Sequence, residues 1–160
     1  MQAVQQQEGP SVWDADALNW LAGHPSIADK RIITPHPGEA ATLLETSTAA
    51  IQKDRRGAVI ELQRRYGGVA VLKGAGTLIK GAGAEVWIST SGNPGMAAPG
   101  MGDVLTGVIA AMLGQGLSLT DAAIAGVEIH AQLGDIASQL GERGMIASDL
   151  IAELRRVVNQ

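Results

Sequence analysis

The residues best suited to phosphate chemistry lie in a glycine-rich segment, residues 92–105, with the sequence GNPGMAAPGMGDVL. A helix is predicted to begin at Asp103, directly after this turn. Backbone N–H groups of Gly100, Met101 and Gly102, with the helix dipole behind them, would form an anion-binding concavity. Asp103 would accept a proton from a hydroxyl while these N–H groups hold the phosphate that the hydroxyl attacks. A glycine turn followed by an aspartate N-cap, with no ligand, explains the same residues equally well.

A second glycine-rich segment follows the apolar run VAVL, which is predicted to be a buried parallel strand. The glycines of this segment allow the backbone to lie against a nucleotide, and its lysine supplies positive charge. The segment consists of Lys73, Gly74, Ala75, Gly76 and Thr77. Taken alone, it is also explained by a β-turn that carries a surface lysine.

Two prolines stiffen a third segment, residues 34–41 with the sequence TPHPGEAA, and so hold its polar side chains in place. His36 can form a hydrogen bond with a polar substrate. Glu39 can anchor Mg²⁺ through water, because magnesium usually keeps several waters and adds one or two carboxylates. The alternative is structural: Glu39 in the first turn of a helix favours the helix dipole, and His36 is a surface residue.

The elements that would position these segments alternate between strands and helices. Strands are predicted at 11–14, 31–34 and 69–72, with a hairpin of strands 77–79 and 85–88. Helices are predicted at 16–21, 39–44, 48–66, 103–113, 121–140 and 148–158. This alternation predicts an α/β fold with a largely parallel sheet. All three segments then lie at the carboxyl ends of strands or at the following helix start, where open α/β sheets bind ligands.

The ends and faces of these helices are predicted from residue type. The expected N-caps are, in chain order, Ser47 or Thr48, Thr120 and Ser148. The last helix is predicted to bury Ile151, Leu154 and Val158. Residues 1–10 are polar and are expected to form the frayed end of a helix.

Composition excludes several classes of function. The chain has 160 residues, enough for one domain, and 46% of them are hydrophobic, so a folded core is expected. A net charge of −4 without a basic run gives no support to a nucleic-acid partner. The chain has no cysteine, which excludes disulfides and thiolate metal sites and fits a reducing compartment. Its apolar stretches are too short for a membrane span and no signal peptide is expected, so a cytoplasmic location is predicted.

Several motifs together resemble the signatures of the NAD(P)H-hydrate dehydratases. They are T-P-H-P-G-E-A, V-L-K-G-A-G-T, and G-N-P-G-M-A followed by G-x-G-D-V-L-T-G. The sequence D-A-D-A-L-N from Asp14 and R-G-M-I-A-S-D-L from Arg143 also fit the family. The motifs stand in the family's order and spacing, from about Val12 to the last helix.

This resemblance implies a ribokinase-like, three-layer α/β/α fold and the use of ADP or ATP with Mg²⁺ to dehydrate hydrated NADH and NADPH. ADP is expected, since bacterial relatives tend to use it. The terminal phosphate would pass to the ring hydroxyl, and elimination would restore the dihydronicotinamide. By resemblance, Asp103 would be the base and residues 100–102 the anion hole. His36 and Asp103 would contact the hydrated cofactor, while residues 73–77 and Gly102 would hold the adenine nucleotide.

The sequence departs from the family in two ways. Pro99 stands where the family usually has glycine or another small residue, which stiffens the anion-hole loop. The strands and glycine-rich segment that precede D-A-D-A-L-N in relatives are missing, so residues 1–160 are expected to form the C-terminal part of one domain. We therefore expect a homo-oligomer or a chain completed by another segment, with little activity alone. Two other functions remain open: a vitamin-precursor kinase of the same fold, and a non-catalytic nucleotide-binding or assembly module.

Overall fold

The computed structural model describes residues 9–159 and contains one five-stranded sheet in the order β1-β2-β3-β4-β5. The strands are β1 (Ser11–Trp13), β2 (Arg31–Ile33), β3 (Val69–Leu72), β4 (Leu78–Lys80) and β5 (Trp87–Ile88). The first three strands are parallel, and β3, β4 and β5 pair antiparallel. The predicted parallel strands and the predicted hairpin are both confirmed, so the whole sheet is mixed.

Seven α-helices and two short 3₁₀ turns accompany the strands in the described part of the chain. The helices are α1 (Asp16–Gly23), α2 (Pro37–Leu43), α3 (Thr48–Lys53), α4 (Arg55–Tyr66), α5 (Met101–Gly114), α6 (Leu119–Ala137) and α7 (Ala147–Val157). The 3₁₀ turns are Pro94–Met96 and Ser138–Leu140. The frayed helix end predicted for residues 1–10 lies almost entirely outside the described residues, which exclude residues 1–8.

The helices cover both faces of the sheet, which gives the predicted three-layer α/β/α arrangement. Side chains of β3 alternate between the two layers: Ala70 and Leu72 pack against helices α1 to α4, whereas Val69 and Val71 pack against α5 and α6. Full burial of all four residues explains why this strand is a continuous apolar run. A third cluster joins α7 to α5 and α6.

The predicted helix 48–66 is two helices, because Asp54 interrupts it. Asp54 has a non-helical backbone (φ −140°, ψ 74°), and its carboxylate accepts a hydrogen bond of 2.8 Å from the N–H of Gly57. It therefore ends α3 and caps α4. Ser47 is confirmed as the cap of α3, since its hydroxyl accepts a hydrogen bond from the N–H of Ala50.

The predicted start of α6 was wrong by two residues. Ser118, and not Thr120, is the N-cap, and its hydroxyl accepts a hydrogen bond from the N–H of Asp121 at 3.2 Å. Both residues are good caps by type, and only the backbone path decides between them. The helix ends at Ala137, and the remaining predicted residues form the 3₁₀ turn.

The last helix also differs from its prediction. Ile146, and not Ser148, is the N-cap residue. Its N–H donates a hydrogen bond of 2.9 Å to the carboxylate of Asp149 in the first turn of the helix. The buried residues are Leu150 and Val157, whereas Ile151 and Val158 are exposed. Leu154 belongs to two apolar sets, positions 150, 154 and 157 and positions 151, 154 and 158, so periodicity alone did not separate them.

None of the helices in residues 9–159 combines the length and the apolar composition that a membrane span requires.

Candidate functional site

The three segments singled out by sequence meet at the carboxyl edge of the parallel strands. Asp14 follows β1, the loop of residues 34–36 follows β2, and Lys73 follows β3. The N–H of Lys73 donates a hydrogen bond of 2.9 Å to the carbonyl of Pro35, which ties the second and third of these connections together. This edge is the usual ligand-binding edge of an open α/β sheet.

A mostly buried ion-pair cluster lies at the centre of this edge. Lys73 Nζ is 2.7 Å from Asp14 Oδ1 and 3.8 Å from Glu39 Oε2. The hydroxyl of Thr106 donates to Asp14 Oδ2 at 3.2 Å. The exposed fractions of the Lys73, Asp14 and Glu39 side chains are 18%, 10% and 12%. At this burial, removing one charge would leave the others poorly compensated.

The N-terminus of α5 lies against this cluster. Gly100 is in the left-handed region (φ 85°) and precedes the helix. A Cβ on Gly102 would lie 3.3 Å from both Asp14 Oδ2 and Lys73 Nζ, so glycine allows the helix to approach the charged groups closely.

The first turn of α5 has free hydrogen-bond donors. In residues 9–159, no side chain caps this helix and no acceptor is found for the N–H groups of Gly102 or Asp103. The N–H of Met101, predicted to face an anion, instead forms a long hydrogen bond of 3.4 Å with the carbonyl of Ala98. A 14-residue helix with free N–H groups beside the Lys73 ammonium is suited to bind a phosphate.

Asp103 is the third residue of α5, and not the first as predicted from sequence. The helix begins earlier because Gly100 turns the chain and Met101 already has helical backbone. The side chain of Asp103 is exposed, so its carboxylate is accessible to a ligand bound at the helix N-terminus.

His36 and Glu39 form a capping box at the start of α2. His36 Nδ1 accepts hydrogen bonds from the N–H groups of Gly38 (3.0 Å) and Glu39 (3.2 Å), and Glu39 Oε2 accepts the N–H of His36 at 2.7 Å. Because Nδ1 is an acceptor, this network assigns the proton of the neutral ring to Nε2. The His36 side chain is 57% exposed, so Nε2–H remains accessible to a substrate. The structural and binding roles of this residue are therefore compatible.

The segment of residues 73–77 contributes a side chain to the ion-pair cluster and an open loop beside it. The ammonium of Lys73 lies among the carboxylates and beside Gly102. The following loop is open, with positive φ at Gly74 (140°) and Gly76 (68°) and with Gly74 and Ala75 exposed. Thr77 closes the loop by donating its hydroxyl to the Gly74 carbonyl at 3.1 Å.

Helix α6 anchors the start of the segment 92–105. The carboxylate of Asp135 accepts the N–H of Gly92 at 2.9 Å and the side-chain amide of Asn93 at 3.0 Å. Two turns earlier, Glu128 accepts the hydroxyls of Ser89 and Ser91. These contacts fix the path of the chain that leads to α5.

Sequence reasoning missed His130, which lies on α6 behind the start of α5. Its Nε2 is buried and has no hydrogen-bond partner in residues 9–159. Burial lowers the pKa of His130; a hydrogen bond with the Met101 backbone opposes this shift, and the Lys73 charge adds to it. The ring is therefore held neutral beside the N-terminus of α5.

Two other site residues were also missed. Asp14 belongs to a recognised motif, and its position directly after a strand was the signal for a site residue. Thr106 lies one helical turn after Gly102, which places both on one face of α5. The sequence shows that spacing, but it does not show that Thr106 contacts Asp14, which lies 92 residues earlier in the chain.

The described residues contain no group of three or more histidine, aspartate or glutamate side chains arranged to hold a metal ion. The water-mediated Mg²⁺ site on the single carboxylate of Glu39 stays a prediction. Such an arrangement fits Mg²⁺ that is held mainly by waters and phosphate oxygens, and does not fit a cage built by the protein.

The fold and this site define a ribokinase-like α/β protein. The chain superposes on the Bacillus subtilis ADP/ATP-dependent NAD(P)H-hydrate dehydratase co-crystallized with ATP/Mg²⁺ with a TM-score of 0.87, at 28% identity, covering 99% of this chain and 60% of that one. It superposes on a ribokinase-like superfamily protein from Enterococcus faecalis with a TM-score of 0.80, at 29% identity, covering 96% and 54%.

The chain belongs to the NAD(P)H-hydrate dehydratase family, whose profile matches residues 1–156. It is 51% identical over 160 residues to the bifunctional NAD(P)H-hydrate repair enzyme of Vibrio cholerae. That match includes 99% of this chain and 32% of the relative, so the chain spans about a third of the length of this protein.

Proposed function

We propose that this chain takes part in the ADP- or ATP-dependent dehydration of hydrated NADH and NADPH, a hydro-lyase reaction that repairs nicotinamide cofactors. One observation carries the proposal. Gly102, whose N–H group has no acceptor among residues 9–159, packs beside the Lys73 ammonium, and the exposed Asp103 carboxylate lies in the same helical turn. This arrangement pairs an anion site with a proton acceptor, as transfer of a phosphoryl group to a hydroxyl requires.

The proposed chemistry assigns separate tasks to these groups. The helix N-terminus and Lys73 stabilise the negative charge of the phosphoryl group as it moves to the ring hydroxyl of the substrate. Asp103 accepts the proton that this hydroxyl loses. The bond between the terminal phosphorus and its bridging oxygen breaks, so AMP leaves from ADP, or ADP from ATP. The C–O bond of the new phosphate ester then breaks and releases phosphate, while the neighbouring ring carbon loses a proton to solvent, which restores the dihydronicotinamide double bond.

The remaining predicted residues have supporting roles in this proposal. The Nε2–H of His36 donates a hydrogen bond to the hydrated cofactor. Glu39 holds Mg²⁺ through water, and the ion neutralises phosphate charge when it is bound. The segment of residues 73–77 holds the adenine nucleotide along its backbone, for which its open, positive-φ conformation is suited.

The preferred nucleotide and the setting of the protein are further parts of the proposal. We favour ADP over ATP because the motifs resemble those of bacterial relatives. A cytoplasmic location is supported by the absence of cysteine. A homo-oligomer is supported by the family resemblance.

The test is a turnover assay with hydrated NADH, ADP and Mg²⁺, followed by the recovery of NADH absorbance, beside a calorimetric titration with ADP. Binding of ADP together with ADP-dependent recovery of NADH would support the proposal. Binding without turnover would agree with the little activity expected of the chain alone, and would fit a non-catalytic nucleotide-binding module equally well. Absence of both would contradict the proposed function.

A further inference from the structure

The guanidinium of Arg55 reaches from the first residue of α4 to the backbone of the nucleotide segment. Nη2 donates to the carbonyl of Gly76 at 3.0 Å and to that of Leu72 at 3.4 Å, and Nη1 lies 3.5 Å from the carbonyl of Lys73. Nη1 also donates to the side chain of Gln52 at 3.3 Å. One side chain thus connects the end of β3 with the far side of the turn.

These contacts use most of the donors that the guanidinium has. Arginine carries five N–H groups, and the four on Nη1 and Nη2 match the four acceptors just described. The acceptors are three carbonyls and one amide, and no carboxylate in residues 9–159 forms an ion pair with Arg55. The charge is therefore held by neutral backbone groups.

The position of Arg55 is unfavourable by itself. A cation at the first residue of a helix opposes the helix dipole. The side chain is also half-buried, and this burial lowers the pKa of Arg55. The hydrogen bonds to the loop carbonyls offset these costs, since bonds to a charged donor are stronger than neutral ones.

Gly74 and Arg55 fit each other closely. A Cβ on Gly74 would lie 2.7 Å from Nη1 of Arg55, so the glycine leaves the space that the guanidinium occupies. The left-handed backbone of Gly76 (φ 68°) places its carbonyl within reach of Nη2. The open shape of the loop therefore depends on the guanidinium beneath it.

We propose that Arg55 is a positioning residue, which fixes the shape of residues 73–77 so that their outward N–H groups can bind a nucleotide. Its donors are committed to the loop, and it does not contact phosphate. Lys73 and the N-terminus of α5 supply the positive potential for the phosphates. This inference rests on the proposed function for the nucleotide, but its claim about the loop does not.

The first experiment compares ADP affinity by calorimetry in the wild type, Arg55→Met, Arg55→Lys and the control Arg56→Met. Arg56 is the exposed neighbour, and its replacement changes the charge equally. Both Arg55 variants should bind ADP about tenfold more weakly, a loss of roughly 1.4 kcal/mol, and the control should not. Lysine should fail to rescue, because its single ammonium cannot span the three carbonyls. Rescue by lysine would overturn the proposal, since it would mean that charge alone is enough.

The second experiment measures backbone ¹⁵N order parameters of residues 74–77 in the absence of any nucleotide. Arg55→Met and Arg55→Lys should lower these order parameters from about 0.85, the level of rigid backbone, to below about 0.6, while β3 stays rigid. Unchanged order parameters in the loop would overturn the positioning role. If the wild type fails to bind ADP, the proposed nucleotide site is wrong, and the order parameters still decide the role of Arg55. Global unfolding of a variant would be recognised by a fall in the order parameters of β3 as well.

Discussion

Asp103 is exposed in the first turn of α5, immediately after the residue that meets the Lys73 ammonium. In the proposed reaction it accepts the proton of the substrate hydroxyl, and an amide cannot do this. Asp103→Asn should therefore reduce turnover by about 10²- to 10⁴-fold. ADP affinity should change little, because the helix N–H groups remain.

The matched control for this variant is Asp121→Asn. Asp121 is also the third residue of a helix, and it is exposed, but it lies at the start of α6. Single-turnover kinetics with hydrated NADH should give wild-type rates for this control. Near-normal turnover by Asp103→Asn would remove Asp103 from the mechanism.

Lys73 and Asp14 form the shortest ion pair of the site, at 2.7 Å, and both side chains are mostly buried. Lys73→Met leaves the carboxylates of Asp14 and Glu39 without their cation, and Asp14→Asn leaves Lys73 with only the more distant Glu39. The double change leaves one carboxylate, Glu39, uncompensated. A double-mutant cycle measured by urea unfolding should therefore give a coupling free energy of about 1–3 kcal/mol. The exposed Lys53 is the control, and Lys53→Met should show no coupling with Asp14→Asn. Additive effects of Lys73→Met and Asp14→Asn would show that the pair does not stabilise the fold.

His130 should make folding stability depend on pH. Its pKa is lowered in the folded protein, so the unfolded chain binds the proton first as the pH falls. The contribution of His130 to the free energy of unfolding therefore has its full value at neutral pH, and it declines as the pH falls below about 6.5. His130→Gln should weaken this decline, whereas His24→Gln, at an exposed ring stacked on Trp20, should not. The same decline in wild type and His130→Gln, measured by urea unfolding, would contradict the assignment.

At the scale of the element, the start of α5 depends on glycine. Gly102 is needed for close approach, because a side chain would meet Asp14 and Lys73, whereas its backbone is ordinary helix. Gly102→Val should therefore weaken ADP binding by about tenfold or more through obstruction of the anion site.

The control for this change is Gly107→Val in the same helix. A Cβ on Gly107 meets no atom within 4 Å, so the control has the same helix-propensity cost without the obstruction. Calorimetry should show normal ADP affinity for Gly107→Val. Equal affinity of the two variants would place the phosphates elsewhere.

Helices and strands were predictable where a single periodic signal dominated, and less so where two signals competed. The parallel strands and the hairpin followed from apolar runs bounded by glycine and proline. The break at Asp54 was not predicted, because the residues on both sides form helix readily and only the backbone geometry separates α3 from α4. The exposed Ile151 shows the same limit, since either of two adjacent stripes of α7 could have been buried.

At the scale of the whole molecule, the edge of the sheet that holds the site was predictable and its internal contacts were not. Parallel strands place their carboxyl ends together, so three glycine- or proline-rich segments had to converge. The ion pair between Lys73 and Asp14 joins residues 59 apart in sequence, and the Thr106 contact with Asp14 spans 92. Such pairings depend on how α5 packs against β1, which no local pattern encodes.

The opposite edge of the sheet offers a competing location for a ligand. An open groove of about 210 Å³ lies there, lined by residues that include Asp29, Gly68, Ser118 and Thr120. Apart from Asp29, these residues carry no charge. Among the described residues that line the groove, a phosphate would meet the Asp29 carboxylate and no ammonium, so we expect the groove to remain free of nucleotide.

One NMR titration tests the central claim most directly. ADP with Mg²⁺ is added to the ¹⁵N-labelled chain, and the shifts of the assigned backbone amides are followed. ADP bound at the carboxyl edge should give saturable shifts concentrated at Gly102, Asp103 and residues 74–77, and no change around Gly68 and Ser118. Saturable shifts confined to the opposite groove, or their absence at the start of α5, would contradict a nucleotide-dependent site at the carboxyl edge of the sheet.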